Sequence, residues 1–154
     1  MNTRTIITAV FSLLCAFVYH PIVAQKKSAP SKIAPGRDQK VSITDLLEEA
    51  NDLKDKSPGD ALSIVEEALA MSVAVNDRLS EGKCYVLIGE INAGIQEWRL
   101  SLENFHKAYE KLNQGYTGSA AFKAALRGLG HAYLKLDNYQ EALKYFKETG
   151  SLKL

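Results

Sequence analysis

A pattern of glycine, aromatic and small residues recurs along the chain at intervals of 40 and 41 residues. Two glycines are each followed by an aromatic, a small, a second aromatic and a second small residue at offsets of 9, 12, 16 and 19. The first set is Gly89, Trp98, Ser101, Phe105 and Ala108, and the second is Gly130, Tyr139, Ala142, Phe146 and Thr149. Self-similarity at such a period indicates an array in which each unit buries an apolar face on the next.

A third, weaker unit precedes these two. Ala61-Leu62 matches Ser101-Leu102 and Ala142-Leu143, with Val65 and Ala68 at the positions of Phe105 and Ala108. Ala50 stands one residue out of step with the glycines. The chain therefore contains about three units.

The residues within each unit follow a helical period. Ile43, Leu46, Leu47, Ala50 and Leu53 share one helix face, and Ser42 with Asp45 forms a box-like cap before them. Ser57 and Pro58 predict the start of a second helix. Further helices are predicted at about 79–94, 98–112, 119–136 and 138–147. No segment alternates like a strand, so the predicted fold class is all-α.

The pattern resembles the tetratricopeptide repeat (TPR), a helix–turn–helix unit. The third unit carries the resemblance best, through Leu126, Leu129, Gly130, Tyr133, Tyr139, Ala142 and Phe146. The second unit has Asn92 in place of the expected tyrosine and Ser101 in place of the alanine. The period exceeds the usual length of about 34 residues, which is similar to the long-repeat subtype. The resemblance implies a solenoid of about three antiparallel helix pairs, in units at about 42–78, 79–117 and 118–154.

The resemblance also implies a function, because TPR units hold an extended peptide or a partner helix in a concave groove. By register, the groove positions would be Lys83, Val86, Glu90, Ala93, Arg127, His131, Leu134 and Lys135. Some members of the family bind the C-terminal carboxylate of a peptide in a clamp of polar side chains. Glu90 would repel such a carboxylate, so this binding mode is not expected here. His131 is open to two interpretations, a ligand contact and a partly exposed histidine without a role. We expect a non-enzymatic protein-interaction scaffold with a mildly basic groove in the third unit.

The remaining reactive residues favour structural roles. No metal-ligand, nucleophile or phosphate-loop motif occurs in the sequence, so neither an enzyme nor a cofactor or metal site is predicted. Cys84 is expected to be a small, buried apolar residue. His106 is expected towards solvent because Phe105 beside it should face the core. Trp98, Tyr133, Tyr139 and Phe146 are expected to be core or wedge aromatics, and Gly128 and Gly130 to allow close helix packing.

The N-terminal segment is typical of an exported protein. Arg4 precedes 14 residues without a charge, 6–19, and Pro21 and Ala24 follow before a polar run. We expect a signal peptide at 1–24 and a flexible basic linker at 25–41, hence a periplasmic or secreted protein; an uncleaved membrane anchor is the alternative. The formal net charge of +1 lacks the basic excess of nucleic-acid-binding proteins.

The last predicted helix has an apolar face that no further unit covers. Leu143, Phe146, Leu152 and Leu154 would need a neighbour. The chain would then be a fragment of a longer protein, or would pair with a partner or with itself through this helix. The resemblance leaves a second functional hypothesis, in which the chain is the truncated TPR region of a membrane-bound signalling protein similar to a sensor histidine kinase.

Overall fold

A computed structural model describes residues 41–150 of the chain. The predicted signal peptide at 1–24, the predicted linker up to residue 40, and Leu152 and Leu154 lie outside the described residues. Within 41–150 there are six helices and no strand, which confirms the predicted all-α class. The helices are α1 (Ile43–Leu53), α2 (Pro58–Ala74), α3 (Arg78–Gly94), α4 (Trp98–Leu112), α5 (Ala120–Lys135) and α6 (Tyr139–Glu148).

Side-chain caps set several helix starts where the sequence predicts them. Ser42 and Asp45 form a reciprocal capping box at the start of α1. Ser119 accepts a hydrogen bond from the backbone N–H of Phe122, and so opens α5. Ser57 precedes α2 without a side-chain cap, and Pro58 occupies the first turn, where its missing N–H costs nothing.

Three tight turns share one backbone geometry, each with a left-handed residue after a helix. Asn76, Gln96 and Asp137 have φ values of 54, 64 and 59°. At the turn after α3, the Gln96 N–H donates to the Ala93 carbonyl and the Glu97 N–H to the Asn92 carbonyl. The same two bonds recur after α2 and α5. This pair of hydrogen bonds is the Schellman motif, which satisfies the last carbonyls of the helix. The next helix begins two residues after the left-handed residue.

Neighbouring helices run antiparallel. Gly82, near the start of α3, approaches Leu112 at the end of α4, whereas Gly89, later in α3, approaches Phe105 in the middle of α4. Each helix packs on the next along the chain, and α3 also contacts α1 and α5. Among the described helices, the backbones of α2, α4 and α6 do not approach one another closely, and α4 and α6 meet through aromatic side chains. The first helices of the three pairs therefore form one layer and the second helices flank it.

Glycines let the layers approach closely, as the sequence predicts. The ring of Phe105 lies between Gly89 of α3 and Gly128 of α5, where a Cβ on either glycine would collide with it. In the next pair, a Cβ on Gly130 would come within 2.6 Å of the Phe146 ring. The spacing of 16 residues between glycine and phenylalanine thus marks the same contact in two units.

The structure corrects the expectation for one aromatic side chain of the repeat pattern. Tyr139 is not a core residue: it is 61% exposed, and its hydroxyl donates to Asp137. Its counterpart Trp98 is half-buried, because α5 follows it, whereas no described helix lies in that position for Tyr139.

His106 does not simply face solvent either. Its Nε2 lies 2.9 Å from the hydroxyl of Tyr133, and its ring meets the Tyr145 ring edge-on. The reason is that α5 and α6 both contribute aromatic side chains beside this face of α4, and these cover the imidazole. Tyr133 and Tyr145 stack nearly parallel, with ring centroids 5.6 Å apart.

Candidate functional site

Two adjoining clefts lie along the layer formed by α1, α3 and α5. The first cleft has a volume of about 410 Å³ and lies between α3 and α5, with the start of α4 at its side. The second cleft has a volume of about 330 Å³ and lies between α1, α3 and the start of α5. Glu90 and Ala124 line both. Volumes of this size are typical of ligand pockets.

The structure brings seven of the eight predicted groove residues to these clefts. Five line the first cleft: Glu90, Ala93, Arg127, His131 and Lys135. Lys83, Val86 and again Glu90 line the second. Arg127 and His131 are both exposed, as a groove requires.

Leu134 is the predicted residue that lines neither cleft. It is 41% exposed on α5. The residues of α5 that line the first cleft include Gly128 and Ala132, so the cleft side of the helix is centred on His131 and Lys135. Leu134 lies on the flank of the helix away from Gly128 and Ala132.

An ion pair crosses the layer at one end of the first cleft. Lys54, just after α1, donates from Nζ to Oε2 of Glu90 on α3 at 3.0 Å. Both side chains are half-buried. The pair neutralises the Glu90 carboxylate, so the repulsion expected between Glu90 and an anionic ligand is partly offset by Lys54.

The opposite wall of the first cleft is basic. Arg127, His131 and Lys135 follow one another at intervals of four residues on one face of α5. The Lys135 ammonium lies over the Trp98 ring, 5.6 Å from its centroid. The His131 ring meets the Phe146 ring edge-on at 5.2 Å. Within residues 41–150, neither Arg127 nor Lys135 forms an ion pair with a carboxylate.

The floor of the first cleft consists of small residues. Ala93, Ala124, Gly128 and Ala132 line it, together with Ser101, whose hydroxyl donates to the Gly89 carbonyl. Small side chains leave room for the backbone of a bound segment to approach the helices. The cleft therefore combines a contact surface for a main chain with charged side chains on its walls.

Sequence reasoning missed two cleft residues that matter for its chemistry. Trp98, which the sequence predicts to be a packing wedge, also lines the first cleft. Lys54 was assigned no role, because it follows the last apolar position of α1. The sequence does carry a signal for Trp98 as a cleft residue, because its repeat position precedes the groove helix of the next unit. None existed for Lys54, whose contact with Glu90 joins residues 36 positions apart.

Groups suited to covalent or metal chemistry are not assembled in the described residues. Cys84 is fully buried, as predicted, and burial raises the pKa of its thiol to about 11, so it stays protonated at neutral pH. Among residues 41–150, no three histidine, cysteine or acidic side chains cluster as metal ligands. None of the described helices is both long and apolar enough to cross a bilayer.

The function of these clefts has to be inferred from their own residues. Compared with models of known protein families, with curated proteins and with solved structures, the chain has no match in any of the three.

Proposed function

We propose that this protein is a non-enzymatic, TPR-like interaction module that binds a peptide or a partner helix of another protein in the first cleft. The observation that carries the proposal is the convergence of residues from three helices on one elongated cleft. Ala93 comes from α3, Trp98 from α4, and Arg127 and His131 from α5. The protein partner would act outside the cytoplasm if residues 1–24 direct export.

The chemistry of the walls supports a peptide ligand. A small-residue floor admits a main chain, and the half-buried ring of Trp98 offers apolar contact area at one side. Charged groups on α3 and α5 can select for side chains of the ligand. Protein segments carry all three features, whereas a small metabolite would use only part of so open a surface.

The proposal can be tested by selecting peptides from a random library on the intact protein and then filling the cleft. Ala124 lines both clefts, so Ala124→Trp should occupy the space and reduce the affinity for the selected peptides about tenfold or more. Fluorescence anisotropy with labelled peptides measures the dissociation constants. Circular dichroism establishes that the variant keeps its helices.

A matched control is Ala70→Trp, which adds the same side chain at an exposed position of α2 that lines neither cleft. This variant should bind the selected peptides as well as the unmodified protein does. Equal binding by Ala124→Trp, or equal loss in both variants, would show that the peptides bind elsewhere.

A further inference from the structure

We propose that the first cleft recognises an extended acidic segment in which every second residue is Asp or Glu. The inference rests on the proposed function, because it names the ligand chemistry of that same cleft. The inference is carried by the basic wall of α5, defined as Arg127, His131 and Lys135, and by the small residues of the cleft beside this wall.

The charge balance of the cleft favours an anion. The lining contains three cations, Lys54, Arg127 and Lys135, against two carboxylates, Asp55 and Glu90. Glu90 is already paired with Lys54. Arg127 and Lys135 have no carboxylate partner among residues 41–150, so a ligand carboxylate would gain charge-assisted hydrogen bonds without breaking an existing ion pair.

The spacing along the wall selects the ligand geometry. Residues four positions apart on a helix are separated by about 6 Å along its axis. Alternate side chains of an extended strand lie on one face at intervals of about 6.6 Å. Three acidic residues at alternate positions therefore come into register with Arg127, His131 and Lys135, and the long side chains absorb the small mismatch.

The small residues of the cleft favour an extended ligand over a helical one. A helix with its side chains is about 10–12 Å across. An extended segment is thinner, and its main chain can lie against Ala124, Gly128 and Ala132.

The test compares two fluorescein-labelled peptides of identical composition on the full chain. The alternating peptide is Gly-Glu-Ser-Glu-Ser-Glu-Gly, and the block peptide is Gly-Glu-Glu-Glu-Ser-Ser-Gly. We expect the alternating peptide to bind about threefold or more tightly, because only its carboxylates match the wall. Equal affinity of the two peptides would overturn the proposed register.

Charge reversal within α5 supplies the second arm. Arg127→Glu should weaken binding of the alternating peptide about tenfold, since it replaces an attraction with a repulsion. Lys123→Glu makes the same change of charge at an exposed position of α5 that lines neither cleft, and it should leave binding nearly unchanged. Equal effects of the two variants would mean that binding depends on the general charge of α5 and not on the cleft, which would contradict the proposal.

Three further outcomes bear on this inference and on the proposed function. The selected library peptides could lack acidic residues and still lose their binding in Ala124→Trp. The acidic ligand would then be contradicted, while binding in the first cleft would be supported. If no peptide binds at all, both are wrong. A short oligothymidylate that binds more tightly than the acidic peptide, with the same dependence on Arg127, would replace the peptide by a single-stranded nucleic acid.

Discussion

At the scale of single residues, the ring of Phe105 shows how glycine determines the approach of the helices. Glycine inside a helix costs about 1 kcal/mol relative to alanine. Gly89 and Gly128 lie on either side of the Phe105 ring, where a Cβ would collide with it. The ring thus connects α3, α4 and α5, and this contact offsets the cost of the two glycines. The sequence predicts this packing role for Gly128 but not which aromatic ring Gly128 contacts, because Phe105 and Phe146 occupy the same repeat position.

We predict that Gly128→Ala destabilises the protein even though alanine favours helices. The added methyl would collide with three atoms of the Phe105 ring, and overpacking of this kind typically costs about 1–3 kcal/mol. Gly94→Ala is the control, because a Cβ there meets nothing within 4 Å. Urea unfolding followed by circular dichroism measures both. A stability of Gly128→Ala equal to that of the control would mean that Phe105 is not held between the two helices.

A second residue-scale prediction concerns His106. Burial lowers the pKa of His106, against the opposing effect of Glu110 and Glu141, while Lys144 lowers it further. The unfolded chain therefore takes up a proton at higher pH than the folded chain, starting near pH 6.5. Stability should fall as the pH decreases through this window towards the folded-state pKa.

The variant His106→Gln isolates this effect. We expect the free energy of unfolding of the unmodified protein to decrease more between pH 7.5 and 5.5 than that of His106→Gln. Hydrogen bonds from Ser42 and Ser80 lower the pKa values of Asp45 and Asp77, which moves the titration of these carboxyl groups further below this pH range. Parallel pH profiles for the two proteins would show that the imidazole is not shielded by Tyr133 and Tyr145.

At the scale of the elements, the sequence predicts the helices well and the turns poorly. The bounds 98–112 predicted for α4 are those observed, because the apolar period and the repeat agree there. The sequence does not predict the three Schellman turns as a set, since Gln96 carries no preference for a left-handed backbone, although Asn76 is a residue type that favours one. The exposure of Tyr139 was also missed, because repeat register alone does not reveal which neighbour is present.

The left-handed turn after α3 leads to an element-scale prediction. Gln96 adopts a φ of 64°, where a Cβ is strained by about 1 kcal/mol or more. Gln96→Gly should therefore raise the free energy of unfolding by about 0.5–1 kcal/mol, after the extra freedom of glycine in the unfolded chain is counted. Gln96→Ala keeps the Cβ and should bring no such gain. A loss of stability in the glycine variant would mean that this turn has another conformation.

At the scale of the whole molecule, the repeat leaves two different surfaces. The first is the cleft side of the layer formed by α1, α3 and α5, where charged and small residues alternate. The second is the apolar flank of α6, where Tyr139 and Leu143 are 61% and 40% exposed and lie one turn apart. The repeat register predicts the cleft side and the uncovered Leu143, whereas the exposure of Tyr139 and the cross-layer contact of Lys54 with Glu90 depend on the packing of the whole array.

We predict that the exposed flank of α6 supports weak self-association. Light scattering should show a mean mass that rises with concentration, and Tyr139→Glu together with Leu143→Glu should suppress the rise. Val73→Glu, which changes an exposed apolar residue of α2 in the same way, is the control. A constant monomer mass for the unmodified protein would contradict the expectation.

If the first cleft binds a segment of another protein, a bound peptide should perturb the residues that line this cleft. The most direct measurement is the set of backbone amide shifts in a nitrogen–proton NMR spectrum as a library-selected peptide is added. We expect the shifted amides to concentrate at Glu90, Ala93, Arg127, His131 and Lys135, with those of α2 unchanged. Shifts concentrated on α2 or on the flank of α6 at Tyr139 and Leu143 would contradict it and move the binding site to that surface.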